Sequence, residues 1–395
     1  MSADLPARRR RTRDTVLAAI TQLGPATRAE LSRRTGLSRS AVGDCVAGLL
    51  LEGLIAEGWS DEPTAGRGRP ASVLSVRGAT GVVLGIDLGH AHVTAALATT
   101  LGEVLAECSD ELDVDHLPGQ ALDLAARLAE RALRAGGHRL DEVRGVAAGI
   151  PGPLAMRTNV VSAPTILADW VGLDPAAELG RRLGRPVVVA NDADMGAQGE
   201  RVFGAARRFD DFLYVKASHG IGAGIVLAGQ TYRGSAGFAG EIGHTHIPGA
   251  SNWCRCGSRG CLETVVSISH VRRRLAHILS TSGATMSEHR LPPLGELADN
   301  PAAARVLTDA GRTIGRVVAD LVNCLNPAAI VLGGELGAAG EPFVGGVRES
   351  IDRYAQPASA LTAQVVAGQL GSRAELLGTI AIASRAPTSV VGGHT

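Results

Sequence analysis

Two segments about 130 residues apart carry the same pattern. Residues 82–99 (VVLGIDLGHAHVTAALAT) and 211–229 (DFLYVKASHGIGAGIVLAG) each read as an apolar strand, a glycine turn and a second apolar strand. Near-continuous apolar runs of this length, broken by glycine, fit buried strands rather than amphipathic helices. Their repetition implies a duplicated α/β architecture. The intervening segments fit that plan. Residues 119–136 and 303–325 are amphipathic at helical spacing, and VRGVAAGIPGP (143–153) reads as strand then loop. RPVVVANDA (185–193) reads as a buried strand ending in a polar loop, and AAIVLGGELG (328–337) as a strand entering a glycine loop. Residues 282–300 are polar and proline-containing, the composition of a surface loop.

The first 80 residues follow a different rule. Val16, Leu17, Ile20 and Leu23 recur at helical spacing, and Gly24-Pro25 stops that helix. Thr27-Arg28-Ala29-Glu30 is a capping box opening a second helix that runs to about Arg34. After the turn Thr35-Gly36-Leu37, Ser38 can cap a third helix from Arg39 to about Leu51. Two short helices joined by a glycine-containing turn are the helix-turn-helix signature. LIAEGW and ASVLSV, separated by SDEPTAGRGRP, then read as a two-stranded wing with Gly66 to Pro70 at its tip.

Charge supports a nucleic-acid contact at this end. The chain is neutral overall, with 39 basic and 39 acidic residues, but residues 1–80 hold 12 arginines against 8 acidic groups. In a helix-turn-helix the first turn of the third helix meets base edges in the major groove. The residues there are Ser38, Arg39, Ser40 and, one turn on, Gly43 and Asp44. Arg39 is the candidate for bidentate guanine contact. Arg67 and Arg69 on the wing, flanked by glycines, fit a minor groove, and Arg8 to Arg11 with Arg13 fit phosphates. A winged helix used for protein contact is the alternative.

Three of the six cysteines fall within eight residues, which favours a metal site over a disulfide framework. His244, Cys254, Cys256 and Cys261 form H-x9-C-x-C-x4-C. Three thiolates and an imidazole complete a tetrahedral Zn2+ shell with no open position, so the expected zinc is structural. A redox-active C-x-C pair is the alternative. Cys45, Cys108 and Cys324 lie on apolar stretches and are expected in the core. The 39 basic residues include a single lysine, Lys216, a bias that carries no information about fold. No run of about 18 apolar residues is present, so no membrane span is expected, and a cytoplasmic location is the default.

The stretch AGEIGHTHIPGASNWCRCGSRGCLE (239–263) resembles the signature of the ROK family of repressors, open reading frames and kinases. The resemblance extends over the whole chain, the winged helix matching the repressor branch that includes xylose and N-acetylglucosamine repressors. It implies an α/β fold class: an N-terminal winged helix-turn-helix (1–80) followed by a two-lobed, actin-like ATPase fold of the sugar kinase and ribonuclease H type, with lobes at 81–190 and 191–395. It also implies a sugar site. Asn191 and Asp192 match the family's Asn-Asp pair, whose Asp is the base in kinases. Glu241, His244 and Glu263 match sugar contacts, with His244 using one ring nitrogen for zinc and the other for sugar. Gly149 to Pro153 match a loop beside the sugar. The family often has Asn near Thr165, a departure here.

Catalysis needs more than the base. Phosphoryl transfer also requires backbone N–H groups and hydroxyls around the phosphates. Kinases of the family have roughly D-x-G-G-T-K in the first hairpin, where this chain has Asp87-Leu88-Gly89-His90-Ala91-His92. They have roughly G-T-G-x-G-G-G in the second, where this chain has Ser218-His219-Gly220-Ile221-Gly222-Ala223-Gly224. Both lose the hydroxyl, so no catalytic residue is expected and Asp192 is a vestigial base. The expected function is a sugar-responsive, DNA-binding transcriptional regulator, a repressor of carbohydrate-utilisation genes acting as a homo-oligomer on operator DNA. A sugar kinase with an accessory DNA-binding domain is the competing class.

Overall fold

The computed structural model describes residues 12–13, 15–20, 26–51, 55–59, 72–76, 81–156, 158–161, 167–280 and 287–385. The chain divides into two compact units, 1–81 with 99–103, and 82–98 with 104–395. Leu23 to Pro25, the arginines at 8–11, the wing tip with Arg67 and Arg69, and Thr165 lie outside the described residues.

In the smaller unit, residues 15–20 are helical. They are followed by α1 (Arg28–Thr35) and α2 (Arg39–Leu51), then β1 (Ile55–Trp59) and β2 (Ser72–Val76). The Thr27 capping box forms: the Thr27 amide donates to Glu30 Oε2 at 2.7 Å, and the Glu30 amide to Thr27 Oγ1 at 3.3 Å. Gly36, at φ 70°, ends α1 in the left-handed region. Ser38 Oγ accepts from the Ala41 amide at 3.2 Å and starts α2. β1 and β2 pair antiparallel, and Ala26 bridges to Leu74. Val16, Ile20, Leu31, Val42, Val46, Leu49, Ile55 and Leu74 form one core.

The larger unit contains two five-stranded sheets. In chain order its elements are β3 (Val82–Leu88), β4 (His92–Thr99), β5 (Val104–Glu111), α3 (Pro118–Ala135), β6 (Val143–Ile150), α4 (Pro175–Leu183), β7 (Val188–Asn191), α5 (Asp192–Phe203), β8 (Phe212–Ala217), β9 (Ile221–Leu227) and β10 (Gln230–Thr231). There follow α6 (Ile268–Leu279), α7 (Pro301–Leu325), β11 (Ala329–Gly333), α8 (Glu341–Tyr354), β12 (Gln364–Ala367) and α9 (Ala374–Ala383). The sheet orders are β5-β4-β3-β6-β7 and β10-β9-β8-β11-β12, which are the same topology twice. In each, the last two neighbours pair parallel and the outer hairpin strands antiparallel. The repeat seen in the sequence is therefore a repeat of structure.

Two helices lie between the sheets. Met195 of α5 packs with Leu376 and Ile380 of α9 against Val83, Ala96 and Ala147. Ala197 and Ala374 pack against Phe212, Tyr214 and Val331. Glycines bring the two helices together: a Cβ on Gly378 would lie 1.8 Å from the Met195 carbonyl oxygen, and one on Gly199 would lie 2.2 Å from that of Ala374.

Three expectations are corrected. The polar end of RPVVVANDA is a helix start rather than a loop, because the Asn191 side chain caps the Ala193 amide at 2.9 Å; the preceding Val188 is exposed. Residues 282–300 are not simply a surface loop: 288–290 and 294–297 are 3-10 turns that bury Leu291 and Leu294. Cys324 is exposed on α7, and Cys45 and Cys108 are only half-buried, because apolar neighbours in sequence do not fix which helix or strand face a residue takes. Among the described residues no helix is long and apolar enough to cross a membrane.

Candidate functional site

The site residues expected in the larger unit converge. Asn191, Asp192, Glu241, His244 and Glu263 line one cleft, together with Gly152, Pro153, Lys216, His90 and Arg255. Asn191 ends β7, and its Nδ2 donates to the Gly152 carbonyl at 3.3 Å, tying the 149–153 loop to the cleft. Asp192 begins α5 and is buried. Its Oδ1 accepts from the Ala193 amide at 2.7 Å, and its Oδ2 accepts from Lys216 Nζ at 2.6 Å. Glu241 precedes the 3-10 turn Ile242–His244, and Glu263 opens the helical turn Glu263–Val266. Burial, with the nearby charges of Asp192, Glu263 and Asp194, pushes Glu241 up to about 7. A cleft floored by an amide and carboxylates and edged by cations is suited to a polyhydroxylated ligand.

His244 and the three cysteines form a cluster that can hold a metal ion. Their four donor atoms all lie within 4.8 Å of one another. Cys256 Sγ and Cys261 Sγ are 3.6 Å apart, and Cys254 Sγ is 3.5 Å from His244 Nδ1. Tetrahedral zinc, with Zn–S about 2.3 Å and Zn–N about 2.0 Å, sets those separations near ~3.8 and ~3.5 Å, so the donor set fits. Gly260, at φ 69°, lets the chain double back between ligands, where a Cβ would lie 2.5 Å from the Ala250 carbonyl oxygen. The other nitrogen of His244, Nε2, lies 3.8 Å from Glu241 Oε2 on the cleft side.

The two glycine hairpins meet at the far end of the cleft. His90 Nδ1 pairs with Asp115 Oδ1 at 2.7 Å, and Arg255 donates to Asp115 Oδ2 at 3.3 Å. The His90 ring stands 6.2 Å from that of His219, and its Nε2 is 3.6 Å from where a Cβ on Gly220 would be. His92 Nε2 pairs with Asp87 Oδ2 at 3.2 Å, and this bond raises the His92 pKa.

In the smaller unit, Ser38, Arg39, Ser40 and Asp44 are all exposed, while Val42, Val46 and Leu49 on the same helix are buried. The four candidate DNA contacts thus share the solvent side at the start of α2. The sequence reading missed Lys216, Asp115 and Arg255 in the cleft and Glu375 beneath it. The one available signal was that Lys216 is the single lysine among 39 basic residues.

The sequence profile described as the ROK family matches residues 83–386. The chain belongs to the ROK family. Within the family its similarities reach both branches. It is 29% identical over 369 residues to the putative xylose repressor of Caldicellulosiruptor sp. (strain Rt8B.4), covering 90% of each chain. It is similar to a solved ROK family transcriptional regulator, a homologue of the E. coli Mlc protein, with TM-score 0.71, 26% identity and 95% and 96% of the two chains covered. It is also similar to a ROK glucokinase from Streptomyces griseus in complex with glucose and AMPPNP, with TM-score 0.67 and 26% identity. That kinase is covered completely, but only 78% of this chain is. The larger unit of this ROK chain has the mixed α/β, actin-like ATPase fold that regulators and sugar kinases of the family share.

Proposed function

We propose that this chain is a sugar-responsive transcriptional repressor of carbohydrate-utilisation genes. The observation that carries the reading is the coverage. Relatives and structures that match nearly the whole chain, helix-turn-helix included, are a xylose repressor and a transcriptional regulator, whereas the glucokinase match leaves the N-terminal part uncovered. In this reading residues 1–80 bind operator DNA through Ser38, Arg39, Ser40, Asp44, Arg67 and Arg69. Residues 81–190 and 191–395 form the two lobes around the sugar, held by Asn191, Asp192, Glu241, His244 and Glu263. A homo-oligomer in the cytoplasm presents two recognition helices to successive major grooves.

Zinc held by His244, Cys254, Cys256 and Cys261 is structural in this reading. It fixes the 244–261 loop and so the orientation of the imidazole beside Glu241.

The cleft binds without catalysing. The Asp192 carboxylate, the family's base position, is engaged by the Lys216 ammonium at 2.6 Å, which opposes its taking a proton from a sugar hydroxyl. His90 stands against the second hairpin, where a kinase needs open backbone amides for phosphates. Sugar binding changes DNA affinity only if the two lobe or dimer arrangements bind the sugar differently. Footprinting on the promoter nearest the gene, with and without D-xylose, D-glucose and N-acetylglucosamine, tests the reading. Protection that one of these sugars releases is expected. Nucleotide turnover with any of them, and no protected DNA, would instead favour a sugar kinase.

A further inference from the structure

The lone lysine of the chain sits where three elements of the larger unit meet. Lys216 lies near the end of β8 and its ammonium is buried. It donates to Asp192 Oδ2 at 2.6 Å and lies 3.8 Å from Glu375 Oε1. Asp192 is the first residue of α5, and Glu375 is the second residue of α9. One cation therefore spans the N-terminal turns of the two helices that cross between the sheets. Glu375 is itself buried and also accepts from Tyr214 Oη at 3.1 Å, so its carboxylate has a fixed place.

The contact between these helices is unforgiving. Gly199 and Gly378 admit no side chain, so a shift of one helix start is transmitted to the other rather than absorbed. The cation itself cannot leave cheaply. Removing one partner of a buried pair strands a charge, and a guanidinium, larger and planar, would not deliver a point charge between two carboxylates. That geometry gives a reason for a lysine at the one position where the chain does not use arginine.

We propose that Lys216 is a positioning residue of the effector cleft, orienting Asp192 toward the ligand and, through Glu375, coupling occupancy of the cleft to the crossing of α5 and α9. The inference rests on the reading of Asp192 as a sugar contact. A sugar hydroxyl arriving at Asp192 shares the carboxylate with Lys216, and the ammonium answers by redistributing its attraction between Asp192 and Glu375. The change at the cleft floor then reaches α9, which has no residue lining the cleft.

The experiment compares the full-length zinc-loaded protein with its Lys216→Met, Glu375→Gln and Asp192→Asn variants. D-xylose and D-glucose are titrated by calorimetry, and amide hydrogen exchange is followed with and without the sugar that binds. The expected wild-type response is a change in protection in both 192–203 and 374–383. Glu375→Gln, nearly isosteric, is expected to keep affinity within about threefold while the sugar-dependent change at 374–383 disappears. Lys216→Met is expected to lose at least about tenfold in affinity. An unchanged response at 374–383 in Glu375→Gln overturns the coupling, even if Lys216→Met fails to fold. Wild-type affinity in folded Lys216→Met overturns the positioning role. Wild-type affinity in Asp192→Asn overturns the sugar-site reading itself, and this inference with it.

Discussion

Cys254 Sγ lies 3.5 Å from Nδ1 of His244, while Nε2 of the same ring lies 3.8 Å from Glu241 on the cleft side. One imidazole thus belongs to both the metal cluster and the effector cleft. Its orientation is set by the cluster and felt in the cleft.

Cys256→Ser is therefore expected to remove bound zinc and weaken sugar binding together. A serine hydroxyl is a poor zinc ligand at neutral pH, and the loop that carries His244 loses its anchor. Metal analysis of the purified variant, alongside sugar titration, checks this. Sugar affinity at the wild-type level in zinc-free protein would refute the structural role.

Asp192→Asn is expected to lower sugar affinity by roughly tenfold or more, the scale of a hydrogen bond to a charged group. Operator binding in the absence of sugar stays unchanged. Asparagine is preferred to alanine because it keeps an oxygen for the Ala193 amide and does not open a cavity beside Lys216. Calorimetry and a gel shift on the same preparation decide it.

Arg39→Ala acts at the other unit. The side chain is exposed at the start of α2 and takes no part in the core, so the fold survives. Losing a bidentate base contact costs about 1–3 kcal/mol of discrimination, so specific binding falls toward the non-specific level. Competition between operator and random DNA measures the ratio. An unaltered ratio would show that another element reads the bases.

Gly378→Ala tests the helix crossing. Its Cβ would be placed 1.8 Å from the Met195 carbonyl oxygen, so α9 must move off α5. We expect a loss of about 3 kcal/mol, at the upper end for overpacking a core. Thermal unfolding should show a clearly lower Tm, whereas Gly119→Ala on α3, which meets nothing within 4 Å, leaves it unchanged.

Much of this was legible in the sequence because it is local. The Thr27 capping box, the glycine turn at Gly36 and the Ser38 cap are contacts between residues a few positions apart, and all three formed as the spacing implied. The spacing of His244, Cys254, Cys256 and Cys261 confined the ligands to one loop, which folds back on itself through glycine. The duplicated hairpins appeared as two sheets of one topology, because a strand buried on both faces imposes an apolar run that survives as a pattern.

Tertiary structure decided what depends on distant elements meeting. Asp192, Lys216 and Glu375 come from α5, β8 and α9, and no periodicity links them; they meet because both helices cross between the two sheets. Cys324 looked like a core residue until α7 fixed which face turns inward. Lys216 looked like an accident of composition until folding placed it between two buried carboxylates. A charge buried in low dielectric persists only with partners, and partners across a fold are a property of its topology.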